Sequence, residues 1–201
     1  MSLNFGNMWS HTKKNNSNVN RNNIQNRNQK FLQNRIKINN TGPIVKASIN
    51  KRGTKGYWGQ PTWFLFHCLA EKANPVKYEK HYLVVWNFIK EVCNGLPCPY
   101  CKQHASNYVR GIPLTSINTK EKLKQTLFTF HNDVNIRTGK SSVDTRILEQ
   151  YKRSNINKIL ELFMSHFFVS YIGTRHFNDW LKNQLKEKTK TFWNFYVKNV
   201  L

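Results

Sequence analysis

The chain has 201 residues, of which 32 are Lys or Arg and only 10 are Asp or Glu, so its formal net charge at pH 7 is +22. That length suits one domain of ordinary size with extensions. The sequence has no apolar core of a secretory signal and no run of about 18 uncharged apolar residues, so we expect a soluble, non-secreted protein.

Residues 1–55 form an Asn-rich, basic segment, and the chain has no Asp or Glu before Glu71. Few apolar residues are present to offset the entropy lost on ordering, which predicts a disordered basic tail. Three roles stay open for it: a solvated extension of biased composition, a tether to nucleic acid or an anionic membrane, or an organelle presequence. The high Asn content and weak amphipathic pattern fit a presequence badly.

Apolar residues at helical spacing dominate from Gly56 onward, and no strand pattern competes. Helices are predicted at 61–73, 78–94, 98–110 and 120–138, the last after an N-cap at Thr119 and ended by Gly139. The first of them places Trp63 and His67 one turn apart. Helices of this length joined by short loops predict an all-α fold, an antiparallel four-helix bundle.

Two cysteines of the segment Cys98-Pro99-Tyr100-Cys101 open the third predicted helix. Proline is tolerated at the first helical position, so we expect Cys98 at the N-cap and Cys101 one turn inside. Free amide groups and the positive end of the helix dipole stabilise a thiolate there, lowering a cysteine pKa from about 8.5 into the range ~3.5–7.5. The segment therefore predicts a redox dithiol.

Two other interpretations of the dithiol are less favoured. Glutaredoxins carry the same tetrapeptide after a β-strand, whereas a helical apolar stripe precedes it here. A metal site would draw on Cys93, Cys98, Cys101 and His104, but the chain has no second ligand pair at zinc-finger spacing. The remaining cysteines, Cys68 and Cys93, fall on apolar helical faces, where inert burial is favoured over a disulfide between them.

Residues 154–201 contain two further apolar helical patterns, interleaved with lysines in the second. We expect this helical C-terminal extension to pack on the bundle or to extend a dimer interface. Attachment to a membrane surface is the less favoured alternative.

Three motifs occur in order: Trp58-Gly59 with Trp63, His67 and Ala70, then the dithiol, then the segment from His131 to Lys140. Together they resemble the Erv/ALR family of FAD-linked sulfhydryl oxidases, most closely the oxidases of large cytoplasmic DNA viruses. The resemblance spans residues 56–153. It implies a four-helix bundle with a short fifth helix, for which Asp144–Arg153 is the matching segment.

The resemblance also implies an activity, in which the enzyme forms disulfides in client proteins and passes electrons through non-covalent FAD to O2, giving H2O2. By the match of motifs, Cys98 exchanges with the substrate and Cys101 lies nearer the flavin. The matching FAD-binding residues are Gly59, Trp63, His67, His131, Asn132, Val134, Asn135 and Lys140. Aromatic faces suit the flavin and adenine rings, and the polar side chains of the fourth helix need partners that a dinucleotide would provide.

Further expectations follow from the family. Substrates would be thiol-containing client proteins or a thioredoxin-like dithiol carrier, and the enzyme would be a homodimer in the host cytoplasm or virion, or else in the mitochondrial intermembrane space. The basic tail adds non-specific polyanion contact. Many family members carry a shuttle disulfide in a tail and a Trp where this chain has Thr126; residues 1–55 contain no cysteine. The competing function is a basic helical scaffold with a non-catalytic or metal-binding dithiol.

Overall fold

A computed structural model describes residues 54–171 and 179–201, all of which belong to one compact unit. The predicted tail at 1–55 therefore lies almost entirely outside the described residues. Seven α-helices and no strands occur in the described ranges, which confirms the all-α prediction. The helices are α1 Lys55–Lys72, α2 Pro75–Asn94, α3 Pro99–Gly111, α4 Lys120–Arg137, α5 Glu149–Lys152, α6 Ile156–Phe167 and α7 Asp179–Asn199. Short 3-10 turns lie at Leu114–Ser116, Thr145–Leu148 and Phe168–Tyr171.

Local capping signals set most helix ends where the sequence predicts them. The Thr119 hydroxyl accepts a hydrogen bond from the Lys122 amide at 3.3 Å and starts α4. At the other end Gly139 has a φ of +73°, and the Lys140 amide donates to the Asn135 carbonyl at 2.8 Å. This is the hydrogen bond of a Schellman motif, which needs a residue that tolerates positive φ.

The start of α1 differs from the sequence-based expectation, because the helix begins at Lys55 and not at Pro61. Pro61 is buried within the helix, where it has no amide hydrogen to donate to the carbonyl four residues earlier. Tertiary contacts with α6 hold the extra turns: the Tyr57 ring lies 4.4 Å from His166, and Trp58 packs edge-on against Phe167 at 6.5 Å. Packing here outweighs the local signal of a proline.

Helix α1 is the centre of the fold, and it packs against α4, α5 and α6. Its side chains Leu65, Cys68 and Leu69 are completely buried. Helix α2 packs against α3 on one side and α7 on another. The N-terminal end of α3, which carries the dithiol, is thereby held at the margin of the bundle.

The C-terminal helices pack on the bundle, as expected. Phe192 of α7 stacks on Phe88 of α2 with ring centres 3.8 Å apart. The buried Tyr196 hydroxyl donates to the Leu69 carbonyl at 2.7 Å, and the Asn74 amide donates to Val200 at 2.8 Å. Among the described helices, none combines the length and the apolar character needed to cross a bilayer.

Cys68 and Cys93 are both free and buried, as the apolar-face interpretation predicts. Burial raises the pKa of Cys68 to about 12 and raises that of Cys93 as well. A thiol with such a pKa carries almost no thiolate at neutral pH, and the thiolate is the reactive form. These two cysteines are therefore chemically inert parts of the core.

Candidate functional site

The dithiol has the geometry that its sequence predicts. Cys98 is the N-cap of α3 in an extended conformation, Pro99 is the first helical residue, and Cys98 and Cys101 form a disulfide with Cα atoms 5.2 Å apart. The Cys101 amide points at the Cys98 sulfur at 3.3 Å. Both cysteines are half-buried. A sulfur placed this way can accept a backbone hydrogen bond once it is a thiolate.

Charge around the dithiol is one-sided. The sequence from Val92 to Lys120 has no Asp or Glu, and it carries exposed Lys102 and Arg110. Cations and the N-terminal end of a helix dipole both favour negative charge on a nearby sulfur. The segment that carries the dithiol is therefore basic and favours negative charge on its sulfurs.

Two side-chain contacts pack α3 against α4. His104 Nε2 lies 3.0 Å from Asp133 Oδ2, and the Tyr108 ring stacks on Phe130 with centres 4.1 Å apart. As residue numbers rise along α3 their partners on α4 fall, so the two helices run antiparallel. His104 is one turn after Cys101, and Asp133 lies between Asn132 and Val134. The dithiol end of α3 therefore lies beside the His131–Asn135 portion of α4.

A stack of aromatic rings joins α1, α4 and α5. Trp63 lies flat on His131, with ring centres 4.2 Å apart and planes at 7°. His67 Nε2 and His131 Nδ1 are 3.0 Å apart, and Tyr151 of α5 stacks on His67 at 4.9 Å. The stack thus brings together Trp63, His67 and His131, three residues that the sequence predicts for the site.

Both histidines of this stack are neutral at physiological pH. Burial and the neighbouring His131 lower the pKa of His67 to about 3. Burial and the positive charge of Lys140 lower the pKa of His131 to about 4. Neutral imidazoles can share one hydrogen bond, since one ring nitrogen donates and the other accepts. The pair therefore carries no charge.

The other predicted residues occupy distinct positions. The side-chain amide of Asn132 makes two hydrogen bonds to the loop after α4. Its nitrogen donates to the Val143 carbonyl at 3.1 Å, and its oxygen accepts from the Val143 amide at 2.9 Å. Asn135 is buried, Val134 is half-buried and Lys140 is exposed. Asn132 therefore has a structural task that the sequence pattern did not reveal.

These residues fit an FAD molecule by their chemistry. Flat neutral rings suit an isoalloxazine or adenine ring, and Lys140 suits a pyrophosphate. A Cβ built on Gly59, one turn before Trp63, would meet no atom within 4 Å, so the α1 backbone there is open to close approach by a ligand. The donor set and the open space at Gly59 agree with the cofactor that the resemblance implies.

Three further residues belong to the site. Tyr151, Tyr108 and Phe130 pack against its histidines and helices, and the sequence pattern assigns none of them a role there. Tyr151 sits in a four-residue helix that is too short for a periodic signal. At Thr126, where many family members have Trp, the hydroxyl donates to the Ser116 carbonyl at 2.7 Å.

His104 faces Asp133 and is not part of a cysteine cluster. Within residues 54–171 and 179–201, no group of three or more His, Cys, Asp or Glu side chains is arranged to hold a metal ion.

Comparison with known proteins agrees with this site. The Erv1/Alr family model matches residues 60–153. The chain is 31% identical over 119 residues to an FAD-linked sulfhydryl oxidase of African swine fever virus (isolate Pig/Kenya/KEN-50/1950), a match covering 57% of this chain and 96% of the relative. It is 33% identical over 108 residues to the enzyme of that name from isolate Tick/Malawi/Lil 20-1/1983, covering 51% of this chain and 87% of the relative.

A protein of Invertebrate iridescent virus 3 is 30% identical over 97 residues, which cover 48% of this chain and 66% of the relative. No solved structure shows a significant match. The matched span contains the dithiol, the Trp63 and His67 pair, and the His131–Lys140 segment, so the likeness covers every assigned site residue except Gly59. This chain belongs to the Erv1/Alr family.

Proposed function

We propose that this protein is an FAD-dependent thiol oxidase whose Cys98–Cys101 disulfide oxidises pairs of thiols in client proteins. The observation that carries the proposal is the position of that disulfide. It caps α3 at the point where the His104–Asp133 contact holds α3 beside the aromatic stack of Trp63, His67 and His131. The redox disulfide and the stack of aromatic rings therefore lie at the same end of the helix bundle.

The exchange begins when a client thiolate attacks the Cys98 sulfur. A client–Cys98 disulfide forms, the Cys98–Cys101 bond breaks, and Cys101 leaves as a thiolate within the first turn of α3. A second client thiolate then attacks the client sulfur of the mixed disulfide, and Cys98 leaves as a thiolate. Its sulfur accepts the Cys101 amide hydrogen. The client loses two electrons, and the enzyme dithiol gains them.

FAD, when bound, supplies the two-electron chemistry that reoxidises the dithiol at the expense of O2, with H2O2 as product. The residues we assign to hold it are Gly59, Trp63, His67, His131, Val134, Asn135 and Lys140, while Asn132 supports them by fixing the loop after α4. Neutral imidazoles carry no charge that would need solvation, so they suit contact with an aromatic ring system. The chain's own part is to bind the cofactor and to hold Cys101 near it.

Cysteine variants test the assignment. We expect Cys98→Ser and Cys101→Ser to lower oxygen consumption with dithiothreitol at least a hundredfold while the flavin absorbance bands persist, because the disulfide is lost and the ring stack is not. Cys93→Ala is the matched control, a buried free thiol outside the site, and should retain most turnover. Wild-type rates in either Ser variant would contradict the assigned route.

The cofactor assignment has its own test. His131→Ala removes the ring that stacks on Trp63, so the purified variant should lose flavin absorbance while its helical circular dichroism stays near that of the wild type. Absorbance and circular dichroism are measured on the same sample after reconstitution with FAD. A wild-type protein that binds no FAD would refute the proposal.

We also propose that the enzyme is a homodimer, that it contacts polyanions without specificity, and that it works in the host cytoplasm or virion. Exposed apolar side chains on α2, Val76, Leu83 and Val84, support a protein contact. The net charge of +22 supports the polyanion contact, and the viral source of its relatives supports the location.

A further inference from the structure

Tyr100 lies between the two redox cysteines and is 79% exposed, the largest exposure among the large apolar side chains in the described ranges. The Tyr100 side chain belongs to the first turn of α3. Cys98 caps α3, Pro99 is the first helical residue, and Tyr100 follows in the first turn. A tyrosine so exposed adds almost nothing to the folding free energy of the bundle, because it buries little apolar area.

The thiol–disulfide exchange reaction determines which molecule contacts the first turn of α3. A client sulfur must reach the Cys98 sulfur in line with the Cys98–Cys101 bond, which brings the client chain across the start of α3. The residues that flank the client cysteine then meet Tyr100 on one side of Cys101 and the exposed Lys102 on the other. The occupant of this surface is thus the client polypeptide during each turnover.

Charge narrows the class of client. No Asp or Glu lies between Val92 and Lys120, and the Asp133 carboxylate of α4 lies 3.0 Å from His104, one turn after Cys101. Lys102 and the N-terminal dipole of α3 both favour negative charge on a client bound at the first turn. Acidic side chains beside a client cysteine would be attracted, and basic ones repelled.

We propose that the exposed first turn of α3, with Tyr100 and Lys102 on either side of Cys101, docks dithiol polypeptides that carry acidic residues next to the reactive cysteine. The inference rests on the proposed thiol oxidase function. Tyrosine suits this task because it presents a large rigid surface with only two side-chain torsions to immobilise, and it is enriched at the energetic centres of protein interfaces.

The test compares three substrates of the full-length enzyme loaded with FAD at low ionic strength. One is dithiothreitol, which is too small to span the turn. The others are synthetic dithiol peptides of identical length, one with Glu and one with Lys on both sides of the cysteines. We expect the wild type to prefer the Glu peptide by about tenfold in kcat/KM, a preference that falls as salt is added.

Variants then separate the parts of the surface. Tyr100→Ala should lower the ratio of kcat/KM for the Glu peptide to that for dithiothreitol about tenfold, and Tyr100→Phe should keep most of that ratio. Lys102→Glu should abolish or invert the preference for the Glu peptide. Trp180→Ala is the matched control, an exposed aromatic on α7, and should keep the ratio.

The outcomes distinguish a failure of the docking inference from a failure of the thiol oxidase function on which it rests. If the wild type oxidises neither peptide nor dithiothreitol, the thiol oxidase function fails. If it oxidises all three but Tyr100→Ala slows peptide and dithiothreitol by one common factor, Tyr100 acts on the disulfide and the docking inference is overturned. Equal turnover of the Glu and Lys peptides by the wild type would overturn the charge selection.

Discussion

The His67–His131 pair shows how single residues serve both the site and the stability of the fold. His67 is almost wholly buried, and its Nε2 lies 3.0 Å from His131 Nδ1 between the rings of Trp63 and Tyr151. A charge on either imidazole would be desolvated and would repel Lys140 or the other ring. The site therefore requires two neutral histidines.

Stability should consequently fall on acidification. The unfolded chain binds a proton at each histidine near pH 6.5, whereas the folded chain does so only near pH 3 for His67 and pH 4 for His131. The unfolded state holds more protons between these values, so the stability contribution is full above about pH 6.5 and is lost as the pH falls. The slope approaches about 1.4 kcal/mol per pH unit for each histidine.

Urea denaturation of the cofactor-free protein between pH 7.5 and 4.5, at constant ionic strength, measures this slope. In His131→Gln one of the two titrating groups is gone, and the slope should drop by about half. A free energy of unfolding that stays level from pH 6.5 to pH 4.5 would show that the histidines are not held neutral.

At the scale of elements, the packing of α3 against α4 sets the position of the dithiol relative to the aromatic stack. The His104–Asp133 pair and the Tyr108–Phe130 stack join the helix of the dithiol to the helix of the FAD-binding histidine. Asp133 is 46% exposed, so solvent screens its contact with His104 and the stability gain is small. Its main effect is on position.

A double-mutant cycle tests that role. His104→Gln and Asp133→Asn, singly and together, should change the free energy of unfolding by less than about 1 kcal/mol, yet each should slow dithiothreitol oxidation severalfold because a small displacement of reacting groups is costly. The double variant should be no slower than either single one, since each change breaks the same contact. Unchanged turnover in all three variants would contradict a positioning role.

Local sequence signals account for most element boundaries but not for all. The caps at Thr119 and Cys98 and the stop at Gly139 act through atoms within a few residues, so the sequence suffices to find them. Pro61 signals a helix start, and α1 runs through it because Tyr57 and Trp58 pack on α6, about a hundred residues later in the chain. Such a contact leaves no local trace.

At the scale of the whole molecule, the dithiol domain and the C-terminal helices share one core. Helix α1 packs on α6, and α7 closes against α2 through Phe192, with Tyr196 bonded to Leu69. Residues 1–53 lie outside the described part and hold ten Lys and Arg with no Asp or Glu. This segment therefore carries +10 of the net charge of +22, and residues 54–201 carry the other +12.

Deleting residues 1–53 should leave FAD content and dithiothreitol oxidation near wild-type values, since this segment has no cysteine to relay electrons. The same deletion should weaken binding to a DNA duplex and reduce its salt dependence, because fewer phosphates are neutralised. Fluorescence anisotropy at several salt concentrations measures the binding. Turnover that collapses while FAD stays bound would place the segment in the active site.

The sequence predicted the features that depend on residues close together in the chain. These are the redox pair at a helix N-cap, Trp63 and His67 on one helical face, and the helix that ends at Gly139. Three facts needed the folded molecule. They are the stacking of His67, His131 and Tyr151, the commitment of Asn132 to the Val143 backbone, and the seating of α3 by His104 and Asp133. Each joins different elements or a helix to a loop, and such contacts follow from how the helices pack, which no local pattern encodes.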